Sequence, residues 1–590
     1  MPMVPEGGPG VTPEVPRAGG WMSAWPPSGG SLLSRFSRWL PAEPGRLLDM
    51  AMVILVVAYI GVLMPGLTRW PPVINDEGRE ANLFWVASGL DPAAERMNAY
   101  RGFATWGNGG LQGATAAVIF RLGGVGVFQA RLTSLLWGGL ALLVVYWAGR
   151  RYWSRSVGVA AAVMFAISNP FLVATHTLRP DIQVVTMVLG ALLLAERSAD
   201  RGRRRAGLLA FLAGLLLALV VDTHPNGAAF FPLVVLVYPL RQGWRAFLRR
   251  REVWLFGGGM VVAAAYYLSV RFVPDPAGFT AALGYWVGVD KALPAARAAG
   301  AGGGPLAKLG GMIVNEVLRY QDYFGEEPLE LAVIVVGLLG GGWLAVRGSH
   351  PARLILLGLA FAGAFFVVAV STKSKYYMLL TYPYYLLLLA ATLSAVATWV
   401  AQRVAPLIVG ARGATASIGA TAPASTLSSA RAMHHAPTSA VQAGILAVFV
   451  AAIVVWPLKL DERAWDNYIQ ARRYREGQEY LQLTARLSEL AGPGGRILAP
   501  PVYWIGLQDH PFSDIYVYER VERQFGMTAA QYLDEVKPDL VITDAKIATD
   551  RRVERLLYNE LDTRATYELV VRHKNYGDVA VYRLRRAAAP

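Results

Sequence analysis

The sequence predicts an α-helical polytopic membrane protein of about eleven transmembrane helices, followed by a small C-terminal soluble α/β domain. Three observations carry that reading. Hydrophobic residues make up 54% of the 590 and charged residues only 16%, at a mean hydropathy of +0.36, which leaves too little polar surface to cover a soluble globule of this size. The apolar residues come in runs long enough to cross a bilayer, and most arginines gather in short segments between those runs. From Lys459 onward the runs stop and the composition becomes that of a soluble domain.

The first run extends from Met50 to Leu67 and is ended by Pro71-Pro72. Further spans are expected at about 127–148, 157–174, 182–194, 206–221, 227–240, 253–272, 329–346, 354–370, 376–400 and 441–457. Arg35, Arg38 and Arg46 precede the first span and place the N-terminus inside. Threading from there puts every strongly basic short loop on the cytoplasmic side: Arg150/Arg151/Arg155, Arg197 with Arg201/Arg203/Arg204/Arg205, Arg241/Arg245 with Arg249/Arg250/Arg251, and Arg347/Arg353. The opposite face receives the loops 68–126, 175–181, 222–226, 274–328 and 371–375, which hold nearly all the acids, histidines and lysines near span ends.

The net charge of +15 is therefore an orientation signal and a contact with anionic lipid, not a nucleic-acid footprint. With no cysteine in the chain, disulfides and thiolate metal sites are excluded. Residues 1–44, rich in Pro, Gly and Ser, read as a disordered cytoplasmic tail without a signal-peptide core. The membrane module occupies 45–403, with its large external loop at 68–126. An Ala/Ser/Thr/Gly stretch at 404–440 reads as a flexible linker, 441–457 as the last span, and 458–590 as the extracytoplasmic α/β domain. Within that domain helices are expected at 463–490 and 528–536, strands at 496–504 and 539–543, and a closing hairpin pairing 567–572 with 579–584.

The loop after the first span opens with Asn75-Asp76-Glu77-Gly78-Arg79-Glu80, a dense charge cluster at a membrane edge. Residues 80–87 then read as a short helix lying on the membrane surface, apolar on one face and carrying Glu77 and Glu80 on the other. By position alone Asp76 and Glu77 serve equally as caps of this helix or as groups for chemistry. A surface helix opened by Asp-Glu directly after the first span resembles the first external loop of GT-C glycosyltransferases. The branch it resembles is the one containing protein O-mannosyltransferases and lipid A aminoarabinose transferases. That resemblance covers about Met50 to Val400 and implies a GT-C-type membrane fold, a polyprenyl-phosphate-linked sugar as donor, and Asp76 as the base that deprotonates the acceptor hydroxyl, with Glu77 beside it.

Three further motifs share its side of the membrane. Thr175-His176-Thr177-Leu178-Arg179-Pro180-Asp181 puts an Arg and an Asp in one tight loop, able to hold each other or, separately, a phosphate and a sugar hydroxyl. Arg-Pro-Asp at this point also resembles the same branch. Asp222-Thr223-His224-Pro225-Asn226-Gly227 offers His224 and Asn226 to a phosphate or sugar oxygen, against a structural histidine satisfied by Asp222. In Ser371-Thr372-Lys373-Ser374-Lys375-Tyr376-Tyr377 the lysines and tyrosines suit an interfacial anchor. The resemblance makes Lys373, Lys375 and Tyr376 the site of the polyprenyl phosphate instead.

A lipid phosphate is already a good leaving group, so such an enzyme needs chiefly a base and cations for the departing charge. No Asp-X-Asp grip for a nucleotide diphosphate is found, and no cofactor is expected. Direct displacement inverts the anomeric centre. The competing account of the same residues is a divalent metal held by Asp76, Glu77, His176, Asp181, Asp222 and His224, although no pair among them has the spacing of a metal motif. Two other classes of function remain: a transporter or flippase of lipid-linked glycans, and a non-catalytic cell-envelope assembly protein. Against the first, paired Gly/Pro-broken spans in two matching halves are missing from the sequence.

Overall fold

The computed structural model describes residues 44–89, 91, 97, 110–200, 202, 204–274, 276–277, 279–280, 305–326, 328–370, 375–416, 444, 469, 476–549 and 559–585. Residues 1–43 of the tail expected at 1–44, residues 417–440 of the linker and, apart from residue 444, the last span at 441–457 lie outside these residues; Pro44 begins α1. The membrane module is built from α1 (Pro44–Leu63), α2 (Asn75–Ser88), α3 (Gly110–Gly123), α4 (Val127–Tyr152), α5 (Arg155–Ile167), α6 (Asn169–Thr175), α7 (Asp181–Ser198), α8 (Ala206–Thr223), α9 (Arg251–Arg271), α10 (Pro305–Glu326), α11 (Pro328–Val346), α12 (His350–Val368) and α13 (Met378–Ala416).

Among the described residues six helical segments are long and apolar enough to cross a membrane: Gly45–Gly66, Val127–Tyr152, Ala206–Thr223, Arg251–Arg271, His350–Val368 and Met378–Arg403. Helices α5 and α6 are together long and apolar enough for a broken span or a re-entrant loop and are bent by 66°, because Ser168 leaves the helical region and Pro170 cannot donate back into the preceding turn. The segments expected at 182–194 and 329–346 are helical, as α7 and α11, but neither is among the six. The one expected at 227–240 is not a continuous helix. Pro225, Pro232 and Pro239 divide it into a 3₁₀ segment, Pro225–Phe230, and two short helices, Phe231–Val235 and Val237–Gln242. Helix α13 continues to Ala416, into the stretch read as a linker.

The C-terminal domain runs through α14 (Glu476–Ala491), β1 (Ile497–Ala499), β2 (Phe512–Asp514), α15 (Val517–Phe525), α16 (Ala529–Val536), β3 (Leu540–Thr543), α17 (Ala545–Thr549), β4 (Ala565–His573) and β5 (Gly577–Leu584). Its five strands lie in the order β2-β1-β3-β5-β4. β1 is parallel to both β2 and β3, and β5 is antiparallel to β3 and β4. The expected strand at 496–504 stops at Ala499, because Pro500-Pro501 turns the chain into a 3₁₀ segment, Pro501–Gly506.

Alternation along the strands gives this sheet two buried faces. Leu498, Val541 and Tyr582 pack under α15 and α16 with Val521, Tyr532 and Leu533. Ile497, Leu540, Ile542 and Val581 face the other way. There they join one apolar core with Tyr503 and Trp504 of the 3₁₀ segment, Ala81 and Phe84 of α2, and Ala116 and Phe120 of α3. The soluble domain and the surface helices of the membrane module thus share a core.

Candidate active site

Helix α2 begins with Asp76 and Glu77 in its first turn, where the exposed backbone N–H groups favour negative charge, and ends on Gly89 in the left-handed region at φ 64°. Successive residues are turned by about 100° around the axis, so these two neighbours face different surroundings. Glu77 falls on the stripe with Ala81 and Phe84 and is buried, whereas Asp76 and Glu80, one turn apart, stay partly exposed. Glu77 therefore does not lie on the open face with Glu80, as the amphipathic reading had it; the apolar stripe begins with it.

Glu77 is only 1% exposed. Its oxygens accept from Arg131 Nε at 2.7 Å and Arg131 Nη2 at 2.8 Å. They also accept from the backbone N–H of Leu178 at 3.0 Å and of Ile74 at 3.1 Å. Arg131, itself fully buried, gives its third bond to the carbonyl of Leu67 at 2.9 Å. One carboxylate thus ties α2, α4 and the loop before α7 together. With both oxygens occupied and no solvent path, this geometry suits a latch, not a proton acceptor.

Asp76 has the opposite setting. Its side chain is 48% exposed and accepts from Arg179 Nη1, while Arg179 Nε donates to Asp181 Oδ2 at 2.8 Å. Tyr376 lies over the guanidinium at 4.4 Å. Asp76, the loop motif and the motif before the last described span therefore meet at the Arg179 guanidinium. Burial alone would raise the Asp76 carboxyl, but Arg179, with Arg79 and Lys546, outweighs it and holds Asp76 below the usual carboxylate range. For Glu80 the balance reverses: burial first, then the charge of Asp76, push it up to about 7. The two carboxyls of one helix face thus hold different charge at neutral pH.

The remaining predicted residues are arranged around this pair. His224 stands edge-on to Tyr377 at 5.5 Å, and its Nδ1 accepts from the Asn226 N–H at 3.1 Å. Burial lowers His224 to about 4, so the neutral ring keeps its proton on Nε2 as a donor. Asn226 is fully buried. Asp222 is held by Arg271 at 2.8 Å and faces the first residue of α3, where any side chain on Gly110 would meet Asp222 Oδ2 at 2.8 Å. It is not the partner of His224. Lys375 opens the 3₁₀ turn Lys375–Tyr377, and Lys373 lies outside the described residues. His176 is buried against Trp70 with Nδ1 bonded to the Leu172 carbonyl at 2.8 Å. Among the described residues no three His, Asp or Glu side chains are grouped to hold a metal ion.

One cation was missed by the sequence. Arg319 of α10 is 5% exposed and paired through Nη2 with Glu316, but among the described residues its Nε and Nη1 have no hydrogen-bond partner. It stacks over Phe366 at 5.3 Å, Phe366 stacks on Tyr377 at 6.3 Å, and Tyr377 leads to His224. A buried guanidinium with two unmet donors beside this turn is suited to an anion. The available signal was the amphipathic stripe of α10, with Glu316, Arg319 and Tyr323 at helical spacing.

Residues 112–270 match the family model described as dolichyl-phosphate-mannose-protein mannosyltransferase. Among solved structures, ArnT from Cupriavidus metallidurans bound to undecaprenyl phosphate is similar, with 19% identity over 91% of this chain and 99% of that chain, at a TM-score of 0.56. The apo state of the same protein gives 17% identity over 90% and 98%, at a TM-score of 0.52. No curated protein sequence matches.

Proposed function

From a chain that has the GT-C fold of the ArnT and protein O-mannosyltransferase branch, we propose an inverting glycosyltransferase that moves a sugar from a polyprenyl-phosphate donor to an acceptor hydroxyl. The observation that carries this reading is the Asp76–Arg179–Tyr376 assembly, an ionised and half-exposed carboxylate pinned beside an arginine. Asp76 takes the proton of the acceptor hydroxyl as its oxygen attacks the anomeric carbon. The bond from that carbon to the lipid phosphate breaks, and its electron pair leaves on the phosphate oxygen. Arg319, Arg179 and Lys375 supply positive charge for that oxygen, and the Nε2–H of His224 supplies a hydrogen bond. Tyr376 and Tyr377, both partly exposed, give the turn Lys375–Tyr377 an aromatic surface suited to an isoprenoid chain. The family description and the ligand of the similar ArnT structure, a dolichyl phosphate sugar and a polyprenyl phosphate, point to the same donor class.

The chain is a multi-pass membrane protein, and its arginine distribution supports an active site on the extracytoplasmic face of the inner or plasma membrane. The acceptor is a protein, glycolipid or polysaccharide on that side. The test is transfer from a radiolabelled polyprenyl-phosphate sugar by detergent-purified protein, with EDTA in a parallel arm. Asp76→Asn keeps shape and most hydrogen bonding but removes the basic site. Turnover should fall by about two to four orders of magnitude, with donor binding little changed. Near-parental turnover would overturn the assignment of the base, and loss in EDTA with rescue by added metal would replace this mechanism with a metal-dependent one.

A further inference from the structure

The C-terminal domain grips α2 on both sides of Asp76. Asn75, immediately before the base, accepts from the backbone N–H of Val502 at 3.2 Å and donates to the Tyr516 hydroxyl at 3.3 Å. Gly78 lies so close to the Pro501 carbonyl that a Cβ there would stand 1.8 Å from its oxygen. Arg79, three residues beyond the base, donates to Asp514 Oδ2 at 2.9 Å and lies over the Tyr516 ring at 5.5 Å. Just upstream, the Val73 carbonyl accepts from the Tyr576 hydroxyl at 3.2 Å. The Asp514 carboxylate is 2% exposed and the Arg79 side chain 33% exposed, so the acceptor of this ion pair is buried within the domain while the guanidinium lies at its edge. These four anchors come from three parts of the domain, the 3₁₀ segment, the end of β2 and the β4–β5 turn. They converge on residues 73–79 and leave Asp76 as the open position between them.

We propose that the C-terminal domain is a working part of the catalytic centre, and that Asn75 and Arg79 are positioning residues through which it holds Asp76 in register with Arg179. The proposal rests on the reading of Asp76 as the base. A carboxylate at the first turn of a helix has no intrahelical bonds above it to fix its orientation, so the anchors before and after it set where it points. Lys546, from α17 of the same domain, adds its positive charge to those of Arg179 and Arg79 around Asp76.

Two variants of the intact chain test this, Asp514→Asn and Asn75→Ala, the second leaving no buried charge behind. In monodisperse protein both should lower kcat, by about a hundredfold for a base displaced by roughly 1 Å, with donor KM unchanged. Arg79→Lys keeps a charge partner for Asp514 and should retain more turnover than Asp514→Asn. Because the chain has no cysteine, the single thiol of D76C reports the same geometry without activity. Its rate of labelling by a small maleimide should rise by about tenfold when Asp514→Asn or Asn75→Ala is added, as the helix start opens locally. Parental kcat and parental labelling in both variants would overturn the proposal. A labelling rate that rises while Asp76→Asn transfers sugar at the parental rate would uphold the docking and remove Asp76 as base.

Discussion

Glu77 and Asp76 are adjacent, and exchanging Glu77 for Gln separates structural work from chemistry. In Glu77→Gln the side chain keeps its shape, but Arg131 is left as a fully buried guanidinium with only the Leu67 carbonyl as a strong acceptor. An uncompensated charge of that kind costs about 3–5 kcal/mol. Arg131→Met alone has the mirror effect on the Glu77 carboxylate, softened by the Leu178 and Ile74 N–H groups that continue to donate to it. The double variant buries no charge, and its Gln oxygen still accepts one of those N–H groups. Its remaining loss should be about 1–3 kcal/mol, the cost of one unmet backbone donor. The coupling energy of the cycle is therefore expected near 3 kcal/mol, the scale of a broken buried ion pair. Denaturant titration of detergent-purified protein measures it, with turnover per folded molecule read beside it. Total turnover should follow stability and recover in the double variant, while turnover per folded molecule stays near the parental value. A Glu77→Gln protein as stable as the parent but without turnover would refute the latch and return Glu77 to the chemistry.

Other outcomes follow from the same geometry. Glu80 has its carboxyl raised from 4.5 to about 7. Between those values the unfolded chain has released a proton that the folded chain keeps, so stability falls as pH rises through this window. Glu80→Gln should therefore raise the thermal midpoint near pH 8 and lose that advantage near pH 4. An equal midpoint gain at both would show that Glu80 is not the titrating group. Arg319→Met should weaken binding of a polyprenyl phosphate and slow transfer together, with Arg319→Lys recovering part of each; unchanged turnover would take Arg319 out of the donor site. Lys375→Ala should behave in the same way, whereas a membrane anchor would alter insertion and spare turnover. With R204C and D509C in otherwise cysteine-free chains, an impermeant thiol reagent on intact cells should label only the second. Labelling of the first alone would reverse the threading.

The membrane helices were legible because a bilayer demands long apolar runs, which composition exposes directly. The break in 227–240 escaped that pattern, since prolines change the backbone and not the hydropathy of Phe231, Val234 and Leu240. The motifs at Asp76, Arg179 and Tyr376 were legible as separate pieces, and the structure joins them through one guanidinium. Spacing could not separate Asp76 from Glu77. Their roles part only through 100° of helix rotation and through Arg131, which lies 54 residues away in an apolar span where it reads as one charge among hydrophobics. Arg319 was hidden for a related reason. Its two unmet donors are a property of its neighbours, Phe366 and Tyr377, and not of its own helix.

The core shared by α2 and the C-terminal sheet also sets a schedule for the chain as it is made. Asn75 and its partner Tyr516 are separated by 441 residues. At translation rates of about 5–20 residues per second, roughly 20–90 s pass between the synthesis of the two. Through that interval Phe84 and Ala81 lack the sheet that covers them in the finished protein, and the segment bearing Asp76 lacks its anchors. The segment 73–79 of the nascent chain thus acquires its anchors only after the described membrane helices have been made. A ribosome that stalls before β1 would leave that segment without its partners at 501–516, with an apolar helix face open to quality-control factors.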